Sequence, residues 1–343
     1  MTTDRALPQL PLLRGELSDA VLSALRGGQT PLPPANTFDP YGEDLQLALY
    51  LLYELHYRGF EGVDDDCEWD PGLLALRRPL ERRFLEALRR DAVPCASADQ
   101  ALAALLVEPV GDPVGDEDTS VSRHLQRAGE LWQLREYAAL RSLYHLKEAD
   151  PHAWVIPRLR GRAKAAMAAV EFDEFGAGRA DEIHAHLFAE LMRDLGLETA
   201  YGHYVEHAPA GMLATVNVMS LFGLHRALRG ALVGHFATVE ATSPPSSYRL
   251  ATALRGVGAG AAAQRFYDEH VEADAVHEQV VRRDVVGGLL AVEPHLEADV
   301  AFGVQATCLL EDRFAARALT AWRRRQSALR VPLADDEGRR SVP

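Results

Sequence analysis

Apolar residues recur at intervals of three and four through nearly every long segment of the chain, and no stretch sustains the strict alternation of a half-buried strand. The pattern predicts an all-α protein. Residues 1–42 are broken by proline, with PLPP at 31–34 and DPYG at 39–42, and are expected to form an extended arm carrying one short helix at 16–26. A dense set of leucines from Leu45 to Leu55 predicts a buried helix over 43–58, followed by helices at 73–90 and 98–107. The segment EPVGDPVGDEDTS, residues 108–120, concentrates Pro, Gly and Asp and reads as a loop.

Beyond that loop the periodicity predicts helices over 121–148, 157–175, 180–195, 212–241, 260–281 and 297–327. Asp150 and Pro151 end the first of these. Pro157 suits the first turn of the next, where its missing N–H has no intrahelical partner to lose. Gly176 and Gly178 break the chain between the second and third, and the two prolines of SPPSS, residues 243–247, are expected to stop the helix that Glu240 closes. The run GVGAGAAA at 256–263 follows no strand and reads as a loop and a helix start. A soft boundary near 120–130 separates an N-terminal helical extension, 1–130, from a larger helical unit, 131–330, and a tail, 331–343, that is expected to be disordered.

Composition narrows the partners. The formal net charge of −14, from 50 acidic against 36 basic residues, repels nucleic-acid backbones and anionic lipid surfaces, so neither is expected as a partner. Arginine carries almost all the positive charge, since Lys147 and Lys164 are the only lysines. Cys67, Cys95 and Cys308 are odd in number and far apart, which fits neither a disulfide framework nor a CxxC metal motif. With no apolar run of membrane-spanning length and an opening MTTDRALPQLPLL unlike a secretory signal, a cytoplasmic location is expected.

The chemistry-bearing residues lie in the second half. In FYDEHVEADAVHEQV, residues 266–280, His270, Asp274 and His277 fall within about 60° of each other on one helical face; a solvated polar face is the alternative. Glu240 ends a stretch that is otherwise mostly apolar or small, so either its carboxylate points inward to a partner or it is an exposed helix end. His235, five residues earlier, lies off that face and reads as a packed or supporting histidine. Glu171 and Glu174 share one face, His184 and His186 point to nearly opposite sides, and only a bend at Gly176–Gly178 brings members of the two pairs together. Periodicity does not choose between Glu171 and Glu174. No GxSxG, phosphate-binding loop or dinucleotide fingerprint competes with this set.

At these residues the chain resembles the haem-oxygenase-like diiron oxidases and oxygenases, the iron-containing redox enzymes. The stretches that carry the resemblance are LKEADPHAWVIPRLRGRAKAA at 146–166, EFDEFGAGRADEIHAHLF at 171–188, LVGHFATVEATS at 232–243 and the 266–280 segment, covering about 136–330. The family's ligand pattern falls on Glu148, Glu174, His184, Glu240, His270, Asp274 and His277; Phe175 stands where the family leads one to expect Tyr. The resemblance implies a bundle of about seven helices with an N-terminal helical extension serving packing, dimerisation or pocket closure. It also implies two Fe²⁺ ions, O₂ as co-substrate and a peroxo-diiron(III) intermediate. Four carboxylates and three imidazoles would balance two ferrous ions, and the same carboxylates disfavour haem and its propionates.

N-oxygenation of a small amine or amino acid in a biosynthetic pathway is the expected reaction. Oxidative C–C cleavage, decarboxylation or desaturation of a fatty acid or amino acid is the alternative, and a metal-binding helical protein without turnover is the non-enzymatic one. Arg158, Arg160, Arg162 and Arg249 are candidates to anchor a substrate carboxylate, with surface solvation the competing role. An external electron donor and a homodimer are also expected.

Overall fold

A computed structural model of the chain describes residues 7–28, 33–34, 37–95, 97–106 and 119–334, and of residues 272–275 the backbone alone. Most of the 108–120 loop and the end of the tail lie outside the described residues. The helices are α1 (Glu16–Leu25), α2 (Glu43–Glu54), α3 (Pro71–Asp91), α4 (Ala98–Leu106), α5 (Val121–Ala128), α6 (Leu131–His145) and α7 (Asp150–Ala153). They continue with α8 (Gly161–Glu174), α9 (His184–Asp194), α10 (Ala210–Leu224), α11 (Arg229–Gly256), α12 (Ala261–Val280), α13 (Gly287–Val292) and α14 (Glu297–Arg323). Among the described residues there is no strand, as the period of the apolar positions requires.

The axis of the molecule is α11, which packs along α12 and α14 and is also met by α4 and α5. Two glycines let α11 and α14 touch: a Cβ on Gly234 would lie 2.0 Å from the Val300 carbonyl oxygen, and one on Gly303 would lie 2.0 Å from that of Ala231. The N-terminal helices share the same apolar core. Leu17 of α1 and Leu47 of α2 belong to one continuous cluster with Leu213 of α10, Val233 of α11 and Val304 of α14. Polar contacts reinforce the junction, with Asn217 of α10 donating to the Gln46 carbonyl at 2.8 Å and Lys147 donating to Glu54 of α2 at 2.8 Å.

Several helix limits differ from those the sequence predicts. The helix expected over 212–241 is two, because α10 ends at Leu224 and the chain turns at His225 before α11 begins. Arg158 makes that end affordable by donating to the carbonyls of Gly223 and Leu224, the latter at 2.9 Å. This arginine is therefore a cap, and Arg162 pairs with Asp284. Glu240 does not close a helix, since α11 continues through Pro244 and Pro245 to Gly256. Those prolines lack the N–H groups that would reach the Glu240 and Ala241 carbonyls, a cost that the packing of α11 against α12 and α14 offsets. The 121–148 helix divides at Gly129 and Glu130, Pro157 lies in a 3₁₀ turn at Ile156–Arg158 rather than in α8, and α12 runs on through a π-helical turn at Val281–Val286.

Candidate metal centre

Each candidate ligand is delivered by a distinct local device. Glu148 stands three residues past the end of α6, and Ala149 after it takes φ +76°, a conformation that costs a residue with a Cβ on the order of 1–3 kcal/mol. The buried surroundings of Ala149 enforce it, and the turn places Glu148 inward instead of along a continued helix. Glu174 is the last residue of α8 and His184 the first of α9. Were the helix unbroken, the two would lie about 15 Å apart along its axis and about 80° apart around it. The break between them is built by Gly176, Ala177 and Gly178 at φ +72°, +51° and +83°. A Cβ on Gly176 would fall 2.7 Å from the Glu182 backbone, so only glycine fits there. Glu240 projects from the middle of α11, and His270 and His277 from α12.

The structure gathers six of the seven residues into two overlapping groups. Glu148, Glu174, His184 and His270 offer ligand atoms within 4.8 Å of one another, and so do Glu174, Glu240 and His277. All six are buried. The side chain of the seventh, Asp274, lies outside the described residues. His186 faces outward with a side chain 38% exposed, 3.7 Å from Glu190, so of the two neighbouring histidines it is His184 that enters the site.

Hydrogen bonds on the outer side of the rings set which nitrogen faces in. His270 Nδ1 donates to the Phe266 carbonyl at 2.6 Å, which leaves the Nε2 lone pair directed to the interior, 3.8 Å from Glu148 Oε2. His277 Nε2 lies 3.2 Å from Asp173 Oδ2, and its Nδ1 lies 3.5 Å from Glu174 and 3.6 Å from Glu240. His145 Nδ1 holds Glu148 Oε1 at 3.0 Å. His184 Nδ1 approaches Glu174 Oε2 to 2.6 Å without the geometry of a hydrogen bond, and Glu148 Oε2 has no hydrogen-bond partner. With the rings neutral, their inward lone pairs would repel these oxygens unless a cation lay between them, whereas protonated rings attract them.

The electrostatics separate one carboxyl from the rest. Burial opposes ionisation of Glu148 and Glu174, yet His145 and His270 hold Glu148 well below the ordinary carboxylate range, and His184 with His277 lowers Glu174 to about 2. Glu171, one turn before Glu174, is also buried but neither of its oxygens has a hydrogen-bond partner. Burial, with the charges of Glu174 and Glu240 added, raises it to about 9, so it keeps its proton at neutral pH. Both members of the Glu171 and Glu174 pair are thus buried, Glu174 as an ionised candidate ligand and Glu171 as an acid beside it.

The site opens into a cavity of about 410 Å³. Phe236, Leu250, Phe266 and Met219 line it with a belt of serine and threonine from α5 and α11, and Glu148, Glu174, Glu240 and His270 share that lining. Among the described lining residues one guanidinium appears, that of Arg141, and it is already held by Glu311 through two hydrogen bonds of 2.8 and 2.5 Å. None of Arg158, Arg160, Arg162 and Arg249 lines the cavity. His145, His152 and Asp173 do not stand out in the sequence. His145 and His152 lie three and four positions from Glu148, a helical spacing that would have flagged them, but the chain turns at Ala149 and removes the helix on which that signal depends.

A buried set of carboxylates and imidazoles, with no thiolate among them, suits a hard or borderline divalent ion such as Fe²⁺. No curated protein matches the chain. The model of a protein family described as iron-containing redox enzyme matches residues 135–312, just over half of the chain, and spans all six gathered candidate ligands together with Asp274. The chain belongs to the iron-containing redox enzyme family.

Proposed function

We propose that this iron-dependent oxidoreductase is a non-haem diiron oxygenase that uses O₂ to oxygenate the nitrogen of a small amine or amino acid. The observation that carries the dinuclear reading is the double membership of Glu174, which lies in both ligand groups and is thereby suited to bridge two neighbouring ions. Glu148, His184 and His270 would complete one position and Glu240 and His277 the other. Bound there, two ferrous ions would supply the electrons that begin the reduction of dioxygen.

The chain's own residues supply the rest. His270 and His277 are pre-oriented by Phe266 and Asp173, so binding requires little rearrangement of either ring. Placing one oxygen atom on an amine and releasing the other as water takes two electrons and two protons beyond those of the substrate, which calls for an external reductant. The protonated Glu171 carboxyl, near enough to Glu174 and Glu240 to feel their charges, would supply one of those protons. The cavity wall favours the amine end of a substrate. Among the described lining residues the one guanidinium, that of Arg141, is committed to Glu311, while Asp312 stands at the wall with Glu311.

The test is anaerobic loading with Fe²⁺ followed by oxygen uptake against a panel of amines, amino acids and fatty acids, with mass spectrometry of the products. Close to two Fe²⁺ per chain, and an amine gaining oxygen on nitrogen, are expected. Loss of carbon from the substrate would replace the reading with oxidative fragmentation. Iron binding without oxygen uptake on any compound would reduce the protein to a metal binder.

A further inference from the structure

Two buried histidines on the cavity wall take no part in the ligand groups. His235 of α11 and His152 of α7 stand with ring centroids 5.3 Å apart, and both line the cavity. Each is 1% exposed, and the Nε2 atom of each has no hydrogen-bond partner. A buried imidazole nitrogen left without a partner costs free energy of a kind that proteins keep mainly where a ligand meets it.

The protonation of His235 can be read from its neighbour. Thr307 Oγ1 donates its single proton to the Gly303 carbonyl at 2.8 Å, so toward His235 Nδ1, also at 2.8 Å, it can only accept. Nδ1 therefore carries the hydrogen, and Nε2 presents a bare lone pair. The register of this arrangement is fixed by backbone: the contact of Gly234 with α14 and of Gly303 with α11 places His235 and Thr307 opposite each other. Burial and then the neighbouring His152 keep the ring neutral. The wall thus offers a pre-set acceptor, not a cation.

We propose that His235 Nε2, held in place by Thr307, is the positioning residue that accepts a hydrogen bond from an N–H of the substrate, with His152 as the second contact on the same wall. This rests on the amine reading above and deepens it, because it predicts that recognition depends on N–H donors and not on positive charge alone. An aliphatic tail would extend along Phe236 and Leu250.

Three probes separate these contributions: n-hexylamine, which carries charge and N–H donors; trimethylhexylammonium, which carries charge without donors; and hexanoate. Dissociation constants are measured by calorimetry on the zinc-loaded protein and its His235→Phe and Thr307→Val variants. The ¹⁵N resonance of His235 Nε2 is followed in histidine-labelled protein. Wild type should bind hexylamine about tenfold more tightly than trimethylhexylammonium, the worth of one charge-assisted hydrogen bond. That preference should largely vanish in His235→Phe and shrink in Thr307→Val, and the Nε2 resonance should move with hexylamine alone. Should His235→Phe fail to fold, the resonance and the Thr307→Val comparison decide. Hexylamine bound with the Nε2 resonance unmoved overturns the role of His235 and leaves the amine reading standing. Binding of hexanoate alone, or of no probe, overturns both.

Discussion

Glu54 and Lys147 form an ion pair removed from water, and removing one partner tests how the N-terminal helices are tied to the candidate metal centre. The carboxylate is fully buried at 0% exposure and the ammonium nearly so at 2%. Lys147 donates to Glu54 Oε2 at 2.8 Å, Tyr201 donates to Oε1, and the Lys147 ammonium lies 4.2 Å from the centre of the Tyr57 ring. Glu54→Leu leaves the ammonium buried without its counter-ion and Tyr201 without its acceptor. Breaking such a pair costs about 3–5 kcal/mol, whereas replacing both partners by apolar residues of similar volume is often close to neutral. Glu54→Leu should therefore lower the free energy of unfolding by about 3–5 kcal/mol, and Glu54→Leu/Lys147→Met should recover most of it. Urea unfolding of wild type, both single variants and the double variant gives the coupling directly. A single variant within about 1 kcal/mol of wild type, or a double variant no more stable than the worse single one, would refute the reasoning. Because Lys147 immediately precedes Glu148, Fe²⁺ stoichiometry in the single variant should fall with stability and return in the double one.

Other consequences are as direct. His277→Ala and His184→Ala should reduce bound Fe²⁺ and abolish iron-dependent oxygen use, whereas His186→Ala, on the exposed face of α9, should retain both; metal analysis and an oxygen electrode decide. Glu171 is raised to about 9 in the folded chain, so folding must hold a proton that the unfolded chain releases above about pH 4.5. The stability lost on this account grows as pH rises from there toward 9, and reaches about 3 kcal/mol at pH 7. Glu171→Gln should accordingly stabilise the metal-free protein at pH 7 by an amount that shrinks toward pH 5, and a pH-independent difference in urea midpoints would contradict it. Gly234→Ala should cost at least about 3 kcal/mol, since its Cβ meets backbone at 2.0 Å, while Gly211→Ala, with nothing within 4 Å, should be neutral or mildly stabilising by thermal melting.

Much of this architecture is written locally. The three- and four-residue spacing of apolar positions specifies helices wherever it persists, and glycines, which take positive φ without the cost a Cβ brings, permit the bend between Glu174 and His184. The spacing of His270 and His277 puts them on one face of α12 whatever packs against it. What the sequence leaves open depends on contacts between distant segments. Pro244 and Pro245 would stop an isolated helix, and α11 continues only because α12 and α14 clasp it. Glu171 and Glu174 are equivalent in periodicity, and become an acid and an ionised carboxylate only when His184 and His277 arrive beside one of them. The tautomer of His235 is set by Thr307, 72 positions away, through a helix contact that two glycines permit. Protonation and ligand geometry are properties of the assembled interior, because they depend on which charges and donors share a water-excluded space, and that neighbourhood exists only once the helices have packed.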